Sequence, residues 1–298
     1  MKNDEKINPL QTEVLGMKLK NPVIIASSNL TDNEKSIRKF LDLGVGAVIT
    51  KTIYIGEKNI QSGRILRKES QIFNSTTYSK KSISEWTEIL SKLYKENLPV
   101  IPSIVADTKD ELVNLALQME EVGCKALELG ISCPNEIGIN EKIYDFTRAV
   151  CREVSVPVSV KLTSEVKVEE KVRKAMCAGA KSVSISDSIP AIVVNTDGTL
   201  PLGVRCGYSG PAIKPIVQKN IYYLKKNNAD VEVIGIGGIE NANDVLEYLY
   251  VGSSAVELCS CIFINGINQV EKIIHDLKNM FLDMGITVPE IINKALKD

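Results

Sequence analysis

VIGIGGIENANDVLEYLYVGSSAVELCS, residues 233–260, runs from a β-branched stretch through adjacent glycines into an amphipathic segment and back to a second β-branched stretch. A strand that leads through a tight turn into a helix and returns as a strand is a βα unit, the connection a parallel sheet requires. The same alternation extends outward over the chain. Eight short apolar runs recur: PVIIAS from 22, GAVITK from 46, PVIPSIVA from 99, KALELGIS from 125, VPVSVK from 156, KSVSIS from 181, VEVIGIG from 231 and SAVELCS from 254. Helix-like segments follow them. In DELVNLALQMEEVG, for example, Leu112, Leu115, Ala116 and Met119 share one face, and Gly44, Gly123, Gly179 and Gly252 sit where helices would end.

Near-continuous apolar strands are buried on both faces, as in a parallel sheet covered by helices. Eight βα units in a chain of 298 residues fit a closed (β/α)8 TIM barrel of the α/β class better than an open doubly wound sheet. TEVLGMKLKN, just before the first strand, reads as an N-terminal hairpin closing the bottom of that barrel. No linker divides the sequence, so residues 1–298 are expected to form a single domain. In such a barrel the chemistry sits at the C-terminal strand ends. Here those ends carry Ser27, Ser28, Lys51, Ser103, Ser132, Cys133, Lys161, Ser186, Asp187, Gly237, Gly238 and Ser260.

Bulk properties narrow the ligand class. Thirty-six basic and 37 acidic residues leave a formal net charge of −1, which gives no global field for nucleic acid or an anionic membrane, so a small-molecule substrate is the expectation. The charged N-terminus and the lack of a long apolar span predict a cytoplasmic protein. Seven cysteines without CxxC spacing read mostly as small buried apolar residues in a reducing compartment.

Three constellations carry chemistry. Gly235, Gly237 and Gly238 before a helix, with Ser260 ending the next strand, form the backbone-lined turn that grips a phosphate in barrels, after strands seven and eight. Lys51 in VITKT and Lys161 in SVKLT end apolar strands and aim cations at a bound anion, whether as Schiff base, phosphate clamp or stabiliser of a reduced flavin. Cys133, in ELGISCPN, places a thiol on the rim of a buried strand. A thiol with a reference pKa near 8.5 can be tuned to move a proton from a weakly acidic carbon.

Together GMKLKNPVIIAS, GAVITKT, ELGISCPN, VPVSVKLT, GYSGPAIKPI and the 233–258 stretch resemble the dihydroorotate dehydrogenase family, FMN-dependent barrels that include the pyrimidine-reducing domain of dihydropyrimidine dehydrogenase. The resemblance implies an FMN cofactor, with Ala26 and Ser27 lining the ring, and Lys51 and Lys161 near its pyrimidine edge. Gly207, Ser209, Gly210, Gly237, Gly238 and Ser260 would hold the ribityl phosphate. It implies Cys133 as general base while the neighbouring substrate carbon gives a hydride to flavin N5, a cysteine being the mark of the soluble branch. Asn74 and Asn135 match asparagines that bond the pyrimidine ring, and residues 136–145 match the lid.

The sequence departs from the family at three places. Gly130 stands where asparagine is usual, Ser186-Asp187-Ser188 where an Asn-Thr pair follows strand six, and STTY after Asn74 where Ser-Met-Gly-Leu is usual. Asn195 and Thr196 are the downstream candidates to replace that pair. Gly130 would open space, and an ionised Asp187 beside Ser188 would repel an orotate carboxylate and prefer a donor-rich or cationic group. The substrate is therefore dihydroorotate or a different cyclic amide. GYSGPAIKPI resembles the branch that passes electrons to an iron-sulfur flavoprotein subunit using NAD, so the expected assembly is a homodimer with such a partner.

Elsewhere simpler roles are expected. His275 reads as a surface residue, Trp86 as a packing residue, SEVKVEEKVRK as a solvated helix face, and Cys259 and Cys261 as core. Two other classes compete: a lysine-dependent lyase or isomerase of a phosphorylated substrate, and a flavin-binding subunit without turnover.

Overall fold

The structure is a computed structural model that describes residues 8–57, 60, 63–131, 142–164 and 167–297. Its barrel strands are β1 (Val23–Ile25), β2 (Ala47–Ile49, resumed at Ile53–Ile55), β3 (Val100–Ile101, resumed at Ser103–Ala106) and β4 (Leu127–Leu129). β5 (Val158–Thr163), β6 (Ser182–Asp187), β7 (Glu232–Ile236) and β8 (Ala255–Leu258) complete the set. Neighbours from β3 to β8 pair in parallel, and β8 returns to β1 with Val256 opposite Val23. Closure runs through the two interrupted strands. The lower part of β2 pairs with Val100–Ile101 and its upper part with Ser103–Ala106, which in turn pairs with β4. The ladder therefore closes on itself, giving the expected α/β TIM barrel.

Each βα connection is specified locally. Thr108 caps the helix Lys109–Val122 and exchanges side-chain bonds with Glu111, while Gly123 ends it at φ 106°. Leu112, Leu115, Ala116 and Met119 are its buried face, as their spacing predicts. Trp86, wholly buried on the helix Ile83–Lys95, donates its indole N–H to Ser79. The helix Val168–Cys177 departs from the expected solvated face at one point: Lys171 is buried and donates to Thr163 Oγ1 at 2.9 Å. Its Glu170 does pair with Lys174 at the surface, at 3.1 Å.

Strand pleating sorts side chains between two cores. Val23, Val48, Leu127, Leu129, Val160, Val183 and Val256 face the helices in one large cluster. Their neighbours Ile24, Ala47, Ile49, Ile101, Ala126, Ile234 and Ala255 face inward and form the lower layer of the barrel interior. That layer is sealed by the antiparallel hairpin Thr12–Val14 and Met17–Leu19, whose Val14, Leu15, Met17 and Leu19 join it. Leu15 and Gly16 both take positive φ, 52° and 69°, as a two-residue hairpin turn of this twist requires. The expected hairpin plug is thus present.

At the opposite end lies an element the strand count does not contain. Ile65–Lys68, Gln71–Asn74, Cys206–Ser209 and Ile189–Ala191 form a four-stranded antiparallel sheet over the mouth. It joins segments inserted after β2 and β6. No helix among the described residues is long and apolar enough to cross a membrane.

Candidate active site

Inward-facing residues become polar one pleat above the apolar plug. Ser103, Glu128, Ser159, Lys161, Ser184 and Glu257 are all buried there. Above them a cavity of about 1080 Å³, counting its open mouth, lies under the antiparallel sheet. Its lining includes Ala26, Ser27, Lys51, Asn74, Gly130, Lys161, Asp187, Ser188, Ser209, Gly237, Gly238 and Ser260, so residues far apart in sequence meet at the strand C-termini. Glu257, Cys259, Thr52, Ile65, Ile72 and Phe263 line it too. Cys133 and Asn135 lie outside the described residues, as do 136–141 of the expected lid. Residues 143–145 open the helix Ile143–Glu153.

One wall is shaped for an anion. Gly237 and Gly238 take φ 120° and 69°, conformations open to glycine. A Cβ on Gly238 would fall 2.8 Å from Lys214 Cβ and 3.0 Å from the Gly210 carbonyl oxygen, so the two turns pack backbone against backbone. The short helix Ser260–Asn265 beside them has no side-chain cap from Cys259. The Ile262 N–H donates to the Cys259 carbonyl at 3.0 Å, so of the first turn the Ser260 and Cys261 N–H groups are those that face an acceptor.

Another part of the lining carries amides and hydroxyls. Asn74 donates through Nδ2 to Ser188 Oγ at 3.4 Å and accepts through Oδ1 from Thr76 Oγ1 at 3.1 Å. Asp187 accepts from the Ser188 N–H at 2.7 Å through Oδ1. Gly207 stands with this group: a Cβ on it would fall within 3.0 Å of both Ser188 Oγ and Asn74 Nδ2. Gly210, by contrast, approaches Gly238. The space expected at Gly130 is largely claimed by Thr52, whose Cγ2 lies 3.0 Å from where a Cβ would be. Thr52 also links Ser27 and Ser103, at 3.1 Å each, in a chain of hydroxyls. Asn195 and Thr196 are exposed and line no part of the cavity; Asn195 instead bonds Thr199.

Lys161 Nζ lies 3.5 Å from Glu257 Oε2, both side chains being buried at the base of the cavity. Burial alone would lower the lysine's pKa, but the carboxylates of Glu257, Glu128 and Asp187 raise it above its ordinary value. Burial pushes Glu257 up to about 8 and raises Glu128 as well, each opposed by Lys161. Glu128 and Glu257 were not among the expected site residues. Their signal is the parity of their strands: Ala126-Glu128-Gly130, Ser159-Lys161-Thr163 and Ala255-Glu257-Cys259 put acid, base and acid at inward positions. Cys259 lines the cavity, contrary to its core assignment, whereas Cys261 is fully buried in the core. Burial raises the Cys259 thiol's pKa. Among the described residues no group of three or more His, Cys, Asp or Glu is placed to hold a metal ion.

A family model described as Dihydroorotate dehydrogenase matches residues 9–281. The chain belongs to the dihydroorotate dehydrogenase family. It is thus an oxidoreductase of that type. Among curated relatives, "Dihydroorotate dehydrogenase B (NAD(+)), catalytic subunit" of Pyrococcus abyssi is 32% identical over 97% of this chain and 99% of the relative. Proteins of the same description from Methanocella arvoryzae and Thermoplasma acidophilum are 33% and 30% identical. They cover 94% and 92% of this chain, and 95% and 94% of their own lengths.

Proposed function

We propose that this chain is the catalytic subunit of an FMN-dependent oxidoreductase that moves a hydride between a ring carbon of a cyclic amide and flavin N5. The observation that carries the reading is one cavity whose lining brings together the cations Lys51 and Lys161, the glycine turn at 237–238 and Ser260, which opens a helix without a side-chain cap. The first pair suits the anionic edge of a reduced ring, the second a phosphate. That fit, and the close approach of Gly238 to Gly210, support FMN as the resident cofactor. When bound, it supplies the hydride acceptor.

In this reading Ser209, Gly210, Gly237, Gly238 and Ser260 hold the phosphate, and Ala26 and Ser27 support the ring. Asn74, Ser188 and Asn135 orient the substrate amides, with Gly207 leaving them room. Cys133 takes the proton from the carbon next to the one that loses hydride, so a carbon-carbon double bond forms while the thiolate becomes a thiol. Asp187 selects against an acid at its end of the substrate and for a hydrogen-bond donor. The substrate is dihydroorotate or, better suited to Asp187, a cyclic amide without that carboxylate. The catalytic-subunit naming of the relatives supports an electron-transfer partner, and in this reading any iron-sulfur centre belongs to that partner. We further assign the chain to the cytoplasm, as a single barrel domain in a homodimer.

The test is purification followed by a flavin spectrum, then anaerobic mixing with dihydroorotate and with uncharged dihydropyrimidines. Bleaching of bound FMN, faster with the uncharged substrates, is the expected result. A colourless protein whose lysine is trapped by borohydride with a phosphorylated carbonyl compound would establish the lyase reading instead.

A further inference from the structure

The floor of the cavity sets two buried acids about Lys161, while a second buried lysine, Lys51, lines the same cavity. Glu128 on β4, Lys161 on β5 and Glu257 on β8 are 1%, 6% and 1% exposed. Lys161 Nζ is 3.5 Å from Glu257. None of the four carboxylate oxygens of Glu128 and Glu257 has a hydrogen-bond partner of good geometry among the described residues. Ser103 and Ser184 stand close enough to favour the ionised acids slightly, but neither completes a bond. A buried carboxylate without donors is costly, and one cation compensates one such charge. Two acids beside one ammonium in a water-poor site therefore titrate as a pair.

We propose that Glu128 and Glu257 share one proton beside Lys161, forming a neutral floor whose proton content follows the charge of whatever occupies the cavity above. The surrounding groups act on this pair from every side. Asp187 at the end of β6 favours protonation, Lys161 opposes it, Lys51 in the break of β2 adds positive charge to the same cavity, and Cys259 lies just past the end of β8. When an anion comes to lie against Lys161, the lysine's charge is claimed from above. The pair then takes one further proton from solvent, leaving both acids neutral and the ammonium paired with the anion. When the anion leaves, that proton returns to water and Lys161 pairs with a carboxylate again. Glu128 and Glu257 are thus positioning residues, acting through Lys161. The shared proton stands on the burial of both acids, their unpartnered oxygens and the 3.5 Å approach of Lys161 to Glu257, with the electrostatics in support; its coupling to a reduced flavin rests on the function proposed above.

Infrared spectroscopy of the purified protein distinguishes the two. Subtracting the spectrum of Glu257→Gln from that of wild type should show loss of one protonated-carboxyl stretch, with the carboxylate signal unchanged. Glu128→Gln should show the same loss, because in either variant the remaining acid ionises against Lys161. In wild type alone the stretch should titrate away near pH 8. Loss of a carboxylate signal in either difference spectrum, or no titrating stretch in wild type, overturns the shared proton. For the coupling, the pH dependence of the bound flavin's potential should report two protons per two electrons in wild type and one in the double variant Glu128→Gln/Glu257→Gln, which has no acid left to take up the second. Equal counts refute the coupling, whereas a protein without flavin refutes the functional reading and leaves the infrared result to decide the proton.

Discussion

Replacing Lys161 with methionine keeps most of the side-chain volume and deletes the buried cation. At 3.5 Å and an effective dielectric of about 20, the lost attraction to Glu257 is about 5 kcal/mol. The native state avoids that loss by protonating the acid, at a cost that grows with pH. A buried carboxyl whose folded pKa is raised binds a proton that the unfolded chain has released, so stability is fullest below about pH 4.5 and falls as pH rises. For wild type the window runs from there to about pH 8, the value to which burial pushes Glu257. Each native-only proton contributes a slope of about 1.4 kcal/mol per pH unit. Wild type carries one such proton on this pair and Lys161→Met carries two. The variant should therefore be less stable by about 1 to 2 kcal/mol at pH 5.5 and by about 4 kcal/mol at pH 7.5. Urea unfolding at both pH values, with flavin in the same excess, measures the gap, and other titrating groups cancel in the comparison. A gap that stays constant between the two would refute the picture of Lys161 as the counter-charge of a two-acid floor.

Other outcomes follow from the same geometry. Gly238→Ala forces a Cβ onto a φ of 69° and to 2.8 Å from Lys214, so flavin retention should fall by about tenfold, for a strain of about 1 to 2 kcal/mol, as read by flavin fluorescence on dilution. Cys133→Ser should keep flavin and slow its reduction by substrate by about 10² to 10⁴, measured by stopped flow; unchanged reduction removes the thiol from its role as base. Lys51→Ala should make the potential of the bound flavin more negative by weakening the anionic reduced form, and a potential equal to wild type would show that Lys51 serves something else. Asp187→Asn should lower the KM for dihydroorotate by about tenfold while sparing uncharged substrates; an equal change for both would mean that Asp187 does not face the substrate's acid end.

The barrel was legible because its signals are local. A β-branched run recurs eight times, most often with a polar end, four of the segments between the runs close on a glycine, and each signal depends on neighbours within a few residues. The antiparallel sheet over the mouth was not, since pairing Gln71–Asn74 with Cys206–Ser209 is a contact between distant segments whose periodicity is too short to announce a strand. Lys51, Lys161 and the glycine turn could be placed at the site from strand ends alone. Glu128 and Glu257 could not, because within a run such as KALELGIS one charge among apolar residues is unremarkable until closure of the barrel turns alternate residues toward a common axis. Gly130 taught the converse. The volume a missing side chain leaves depends on its neighbours, and here Thr52 had already taken it.

The sheet over the mouth fastens two excursions of the chain to one another. Ladder bonds tie Gln71–Asn74 to Cys206–Ser209, and Arg67 Nη1 donates to the Ile264 carbonyl at 2.8 Å. Neither excursion can swing aside alone without breaking main-chain bonds, so this flank behaves as a fixed gatepost. Ligand size on that side is then governed by the girth of Ile65 and Ile72, and widening the passage for bulkier rings is a matter of trimming those two side chains rather than loosening the backbone.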